Sequence, residues 1–486
     1  MPKTGKRCAE ALAPLRFEAF SSAAHAHGFA DGRGSRGGRL AERRSLVLRR
    51  SGRNNEAVME LSVIWPDFGG QRFACHGCTN CCRELVVHLT AEDRRKIDRQ
   101  KWDRAIDGAP YVRFGGGTVL NHGPDGTCVF LQQDGRCRIH AEFGADEKPL
   151  ACRVYPFTLD RQGDRFRAGL RFDCPSVAHD RGAPVAEHRS VLDDLAGRWQ
   201  RSGAESPQGS AVPVRLTERR TLSDEELDGL VHHLDRWLRD GSISAMDRLL
   251  PIPALVGFLE TPEVAEARGS DFDRLVAGLV DELPAVLKGL RDEPPGPPTR
   301  RQVKTLRRVV FAHAEHVSLE RARAGWLSRL VGRGEQLRRY RRLAAGRCRG
   351  LSLAGRSAHH PVGEIEVLGP APDLKREACD ALLTRYLRIR LASHAAFGSG
   401  YYGWTLADGL RAMVLSIAAA GWLARFIAAS EDRAGYTLDD VAAAVGTVDR
   451  TAGRSPVLGS TSSALQLRYV TRDGGLERLV RRFAAL

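Results

Sequence analysis

The sequence predicts an α+β fold, in which a small cysteine-rich domain is followed by a mostly α-helical C-terminal region. Three observations carry that prediction. Eight of the eleven cysteines fall between Cys75 and Cys174. In the same window short strand-like runs alternate with turn signals. Beyond Ser223 the apolar residues recur with a helical period, and capping sequences open the runs. With 486 residues the chain is long enough for two or three domains of ordinary size.

Residues 1–58 read as a disordered basic extension. The first 55 residues hold twelve Lys or Arg against four Asp or Glu, include the stretch DGRGSRGGRLAERR, and show little apolar periodicity. An unstructured extension is favoured over an arm for nucleic acid or a membrane surface. The cysteine domain is placed at residues 59–200. Within it, residues 84–89 (ELVVHL) suit a short strand, and Thr90 with Asp93 makes an N-cap and N3 carboxylate that open a helix through about Asp98. Asp134-Gly135 is a two-residue hairpin signal. A turn centred there sets Gln132 opposite Cys137 and leaves Cys128 roughly 13 Å farther along the strand, too far for one ion to hold both cysteines. Residues 165–172 alternate, placing Phe166, Ala168, Leu170 and Phe172 on one buried face, and Cys174 follows.

A polar linker is expected over residues 201–222 and a helical region over 223–345. Ser223 and Glu226 form a capping box, and Leu227, Leu230, Val231, Leu234, Trp237 and Leu238 keep a helical stripe. The run DEPPGPPT (292–299) breaks the helical pattern. Basic helices follow over 300–342; lacking regular aromatic interleaving, they read as solvated faces rather than a nucleic-acid surface. Residues 346–372 read as a loop and 373–486 as a second helical region. That region contains a helix around Cys379, an apolar run over 412–424 and a helix over 436–448. The apolar run is shorter than the roughly 20 residues a membrane span needs, so it is expected to be a buried helix.

Formal charge is +15, from 74 basic and 59 acidic residues, which suits an acidic partner or solubility. The N-terminus lacks the pattern of a secretory signal, so a cytoplasmic, reducing compartment is expected. There, clustered cysteines bind metal or do redox work rather than form structural disulfides.

Cys75, Cys78, Cys81 and Cys82 lie within eight residues, and C-x2-C spacing turns two thiolates back onto one ion or cluster. Cys137, His140, Cys152 and Cys174 add donors beyond the four that one zinc ion or one [4Fe-4S] cluster uses. One-cluster and two-metal arrangements are both open, because adjacent Cys81 and Cys82 are hard to aim at a single ion. The C-x2-C-x2-C run and Cys174-Pro175 favour iron, whereas His140 favours zinc. Arg153 is placed to donate to sulfur, Tyr155 to close the site, and Lys148-Pro149 to direct the chain into Cys152. His76 is expected to point away. The pairs His232/His233, His313/His316 and His359/His360 are expected on solvated faces. Gly398, Gly400 and Gly403 match GxGxxG, but no clear strand precedes them and no acidic partner follows. A helix-connecting loop is the better reading.

Four segments in order carry a family resemblance: CxxCxxCC at residues 75–82, Leu89-Thr90 with Asp93, CVFLQQDGRCRIH at 128–140, and KPLACRVYPF at 148–157. Together they resemble the YkgJ-type cysteine-cluster family over about residues 70–176. The resemblance implies a zinc or iron-sulfur centre, with Cys75, Cys78, Cys81, Cys82, Cys137 and Cys152 the positions carried over. One branch of that family includes the flagellin lysine N-methylases. The helical half, including residues 386–449, resembles that branch more loosely. This likeness implies methyl transfer from S-adenosylmethionine to a protein lysine, with flagellin as the kind of partner. The alternative function is a non-catalytic zinc-binding interaction or metal-chelating module.

Overall fold

Short strands, none longer than six residues, organise the cysteine region: β1 (Val63–Ile64), β2 (Arg72–Phe73), β3 (Tyr111–Phe114), β4 (Gly117–Leu120), β5 (Phe157–Gln162), β6 (Arg165–Leu170) and β7 (Ala183–Pro184). The computed structural model describes residues 63–102, 105–114, 116–162, 165–202, 213–315, 326–346 and 350–484, all within one unit spanning Leu61–Leu486. The extension expected over 1–58 lies outside them. β6 is the middle strand of the one three-stranded sheet among the described residues, parallel to β1 and antiparallel to β5, with Phe157 opposite Leu170. β3 and β4 form a hairpin, and β2 pairs with β7.

The helices of this region are short: α1 (Asn80–Glu84), α2 (Ala91–Arg99), α3 (Arg138–Phe143), α4 (Leu150–Val154), α5 (Pro175–Ala178) and α6 (Arg189–Arg201). α2 starts as its capping box requires: Asp93 N–H donates to the Thr90 hydroxyl and the Asp93 carboxylate accepts from Thr90 N–H. The strand expected over 84–89 does not form. Its start is taken by α1, and His88 keeps a single bridge to Val119, flanked by hydrogen bonds joining residues 87–89 to β4. The alternation in β6 is real, but both faces are buried rather than one. The second face meets the helical half: Arg167 Nη1 donates to Ala392 O at 3.2 Å, and a Cβ on Gly169 would stand 3.1 Å from the Ser393 Cβ.

The helical half comprises α7 (Asp224–Leu238), α8 (Gly269–Asp281), α9 (Leu283–Asp292), α10 (Arg300–Ala314), α11 (Trp326–Ala345), α12 (Arg376–Ala392), α13 (Leu406–Ser430), α14 (Leu438–Thr451) and α15 (Gly475–Phe483), with shorter helices between. α7, α10 and α14 each begin with a complete capping box, at Ser223, Thr299 and Thr437. Two hairpins punctuate the segments read as linker and loop. These are β8 (Arg215–Thr217) with β9 (Arg220–Thr221), and β10 (Leu351–Leu353) with β11 (Arg356–Ala358). β12 (Gly369–Pro370) pairs with β13 (Gly435–Tyr436). The GxGxxG segment joins α12 to α13 as a helix connector, closed by Gly398 N–H donating to Trp404 O at 2.9 Å.

α13 is the axis of this half. All its residues except Arg411 and Ser430 are buried, because α10, α14, α15 and the helix Ile252–Leu259 surround it. The apolar run recognised in the sequence is only the middle of a 25-residue helix. By length and composition α13 is apolar enough to cross a membrane, yet its most apolar window lies wholly inside the protein. α15 approaches so closely that a Cβ on Gly421 would collide with the Phe483 carbonyl oxygen.

One buried carboxylate ties the two halves. Asp449, 1% exposed, accepts the Phe172 N–H at 2.8 Å and pairs with Arg390 at 3.3 Å. Phe172 packs edge-on to Tyr386 with ring centroids 5.2 Å apart, and a Cβ on Gly446 would stand 3.1 Å from Phe172 O. His313, expected on a solvated face, is instead buried and shares a 2.7 Å hydrogen bond with Thr451 Oγ1. Burial, with the nearby Arg390 charge, pushes its pKa down to about 3.

Asp449→Ala leaves Arg390 as an unpaired buried charge and should cost about 3–5 kcal/mol, read as a lowered urea midpoint. His313 binds a proton more readily unfolded than folded. Stability is therefore full above about pH 6.5 and should fall as pH drops from there toward 3. His313→Gln should flatten that part of the stability-pH profile in urea titrations.

Candidate metal centre

Residues 75–82 begin as an exposed reversal and end in α1. Gly77 (φ 68°) and Thr79 (φ 66°) adopt left-handed conformations that fold the chain tightly between Cys75 and Cys81. Several contacts hold this loop. Cys128 N–H donates to Cys82 O at 2.8 Å, Asn80 Nδ2 donates to Asp173 O at 2.8 Å, and His76 Nδ1 shares a 2.8 Å hydrogen bond with Ser176 Oγ. His76 thus anchors the loop to α5, turned from the thiols as expected. The fourth contact is steric: a Cβ on Gly135 would stand 3.2 Å from the Thr79 methyl carbon. The turn of the 128–140 segment therefore seats the cysteine loop.

That turn is a residue longer than the expected two-residue hairpin. Gly135 N–H donates to Gln132 O, Gln132 N–H donates to Arg136 O, and Leu131 bridges Cys137 in place of Gln132. Residues 128–131 then turn instead of running on as a strand, with Leu131 N–H donating to Cys128 O at 2.9 Å. The distance argument that separated Cys128 from Cys137 fails for this reason. Cys128 is buried with Ile97, Trp102, Leu120, Phe130 and Ile139 in a cluster against which Cys82, Cys137 and Cys152 also pack. Cys137 is the N-cap of α3, while His140, three residues on, is exposed. Cys152 rides on α4, which is docked by Leu150 N–H donating to Asp93 Oδ1 at 3.0 Å. One Asp93 oxygen caps α2 while the other positions the Cys152 helix.

The electrostatics describe several thiols near one side-chain cation, the Lys148 ammonium. Cys81 and Cys82 have Sγ atoms 4.0 Å apart, close to the about 3.8 Å that two thiolates span on a tetrahedral ion with bonds of about 2.3 Å. Their mutual hydrogen bond, then burial, raises the Cys81 pKa. Burial, partly offset by the Phe130 N–H, pushes Cys128 up to about 12, with Cys137 and Cys81 adding repulsion. Burial likewise raises Cys152, against the pull of Lys148. For Lys148 burial opposes the charge, yet Cys152, Cys137, Cys81 and Cys75 outweigh it, and its pKa stands above the ordinary value.

Cys174 is buried at the start of α5, where burial pushes its pKa up to about 11, opposed by the Val177 and Ser176 N–H groups and helped by Cys78 and Asp173. Tyr155 sits between the groups. Its hydroxyl donates to Asp173 Oδ1 at 3.1 Å, and burial first, then Asp173 and Cys174, raise its pKa. Arg153 does not serve sulfur. It pairs with Asp146 at 2.6 Å.

A scan against protein-family models assigns this constellation. Residues 74–174 match the CxxCxxCC family, described as "Putative zinc- or iron-chelating domain". The match runs from the residue before Cys75 to Cys174 itself, so it takes in all eight clustered cysteines. Searches of curated proteins and of solved structures gave no significant match.

The donor chemistry fits a soft or borderline metal such as zinc or an iron-sulfur cluster. All nine described cysteines are free thiols. Among the described residues no group of three His, Cys, Asp or Glu is gathered closely enough to hold an ion as it stands. Cys75 and Cys78 are exposed on the loop while Cys128 is enclosed, so the loop thiols are the ones open to solvent. Lys148, Gly135, Asn80 and the second oxygen of Asp93 were not recognised as site residues in the sequence. Lys148 left a signal as a cation in the segment leading to Cys152, while Gly135 and Asp93 were legible only as turn and capping residues.

Alkylation of the full-length, metal-free protein should label Cys75 and Cys78 first and Cys128 slowest, by peptide mapping. Loading with metal should protect Cys75 and Cys78. Gly135→Val should raise labelling of Cys81 and Cys82 by loosening the seat of the loop.

Proposed function

We propose that the cysteine-cluster domain chelates zinc or an iron-sulfur centre through Cys81, Cys82, Cys128, Cys137 and Cys152, with Cys75 and Cys78 folding in from the exposed loop. The observation that carries this reading is the packing of Cys82, Cys137 and Cys152 against the cluster that holds Cys128, with the Cys81 and Cys82 sulfurs 4.0 Å apart and Lys148 beside them. Thiolates that raise one another's pKa in a half-buried site favour a cation, and Lys148 offsets part of the excess negative charge such a donor set carries. A bound metal would supply cross-linking of loop, turn and α4 and, if iron-sulfur, a redox couple. His140 and Cys174 stand as outer donors in this reading. A reducing, cytoplasmic compartment belongs to it, supported by the free state of the cysteines. The chelating reading stands ahead of the catalytic one, methyl transfer from S-adenosylmethionine to a lysine of a protein such as flagellin. The support for that activity is the looser resemblance of the helical half.

Anaerobic purification with metal analysis and a visible spectrum tests the reading. Broad brown absorbance with iron and sulfide, or colourless protein with stoichiometric zinc, supports it; protein that takes up neither metal sinks it. Cys152→Ser should lose stoichiometric metal. Lys148→Met should weaken affinity by about 10–100-fold in chelator competition, the range typical of groups that support metal ligands from outside.

A further inference from the structure

A second site lies in the helical half, in a cavity of about 680 Å³ bounded by the β8–β9 hairpin, the start of α13 and the segment following the helix Thr461–Thr471. Its volume falls in the range of small-molecule sites, about 300–1,000 Å³. Its walls are not those of an apolar pocket. Six guanidinium groups line it, those of Arg219, Arg220, Arg268, Arg411, Arg468 and Arg472, against four carboxylates.

The carboxylates are largely engaged. Asp408 is held by Arg411 at 3.4 Å and by Arg468 at 2.7 Å; Glu218 also pairs with Arg468, and Glu260 pairs with Arg411. Arg220, buried, pairs with Glu226 at 2.7 Å, and its Nε has no hydrogen-bond partner among the described residues. Arg219, Arg268 and Arg472 are exposed and enter no ion pair among the described residues, but the Arg268 guanidinium is taken up by the backbone carbonyls of Ala265, Glu266 and Ala267, while the fourth carboxylate, Glu266, is exposed and also enters no ion pair among them. The lining carries no aromatic or large aliphatic side chain on which a base or an acyl chain could rest.

We propose that this cavity binds a small, hydrophilic phosphorylated compound, held by Arg219 and Arg472 through charge-assisted hydrogen bonds. Guanidinium forks match phosphate oxygens in pairs. The lining holds six guanidinium groups against four carboxylates, and of the arginines outside its ion pairs Arg219 and Arg472 are the two not already bound to backbone carbonyls, so they are the ones a ligand meets. The site is independent of the metal centre, so either can fail without the other.

Isothermal titration of the full-length protein with inorganic pyrophosphate at low ionic strength tests the proposal. Saturable one-to-one binding is expected, weakened about ten-fold or more in Arg219→Ser/Arg472→Ser with an unchanged melting temperature. A control pair on α11, Arg333→Ser/Arg338→Ser, should bind as the parent does. The proposal is overturned by absence of saturable binding, by parent-like binding in the cavity variant, or by equal loss in the α11 control, which would mark a general attraction to a basic protein. Should the double variant unfold, Arg472→Ser alone, on an exposed position, gives the same comparison.

Discussion

The arrangement depends on one buried carboxylate. Asp449 sits at the far end of α14 and reaches across to the backbone N–H of Phe172, immediately before the Asp173-Cys174 pair. A buried charge persists only where partners replace the water it has lost, and Asp449 has both the Phe172 N–H and the Arg390 guanidinium. With this one side chain in place, the strand carrying Phe166 to Leu170 is held against α12, and the Asn80 contact to Asp173 O passes the constraint on to the CHGCTNCC loop. The cysteine loop and the helical half are therefore parts of one polar framework rather than beads on a string.

Around that framework the cysteine region is built economically. It has little extended sheet and few long helices, and its segments are positioned by single hydrogen bonds and close approaches: Cys128 to Cys82, Leu150 to Asp93, Gly135 to Thr79. Such a region buries a modest apolar cluster, with cysteines as part of its lining. Metal ligation suits a domain of this kind, because each thiolate-metal bond replaces packing that short elements cannot supply. A cavity of about 220 Å³ touches Asn80 and Asp173 on one side and α13 and α14 on the other, so the thiol segments adjoin an opening in the helical half.

Much of this was legible in the sequence where the signal was local. The capping boxes at Thr90 and Ser223, the break over 292–299 and the buried character of α13 all follow from residues acting on their own helix. What failed had a tertiary cause. Residues 84–89 have strand-like composition, but the tight loop before them is continued by α1, which consumes the start of the run. Cys128 was set apart from Cys137 by counting strand residues, and the chain turns at residues 128–131 instead. His313 was read as solvated because no pattern around it announces that Thr451, 138 residues away, supplies its hydrogen bond. Lys148 was read for the proline after it. Its charge acquires meaning only when the 75–82 loop and Cys137 bring their thiols to it beside Cys152.

The contact of Gly421 with the Phe483 carbonyl has a temporal side. α13 cannot be fully enclosed until α15 arrives, and Phe483 is made about 310 residues after Cys174, roughly 15–60 s later at ordinary synthesis rates. For most of that interval, until α12 and then Asp449 on α14 have been made, the thiol loop exists without the helices that will pin it. The nascent cysteine region is thus complete before its partner half exists, so its eight clustered thiols are synthesised well ahead of the helices that dock on them.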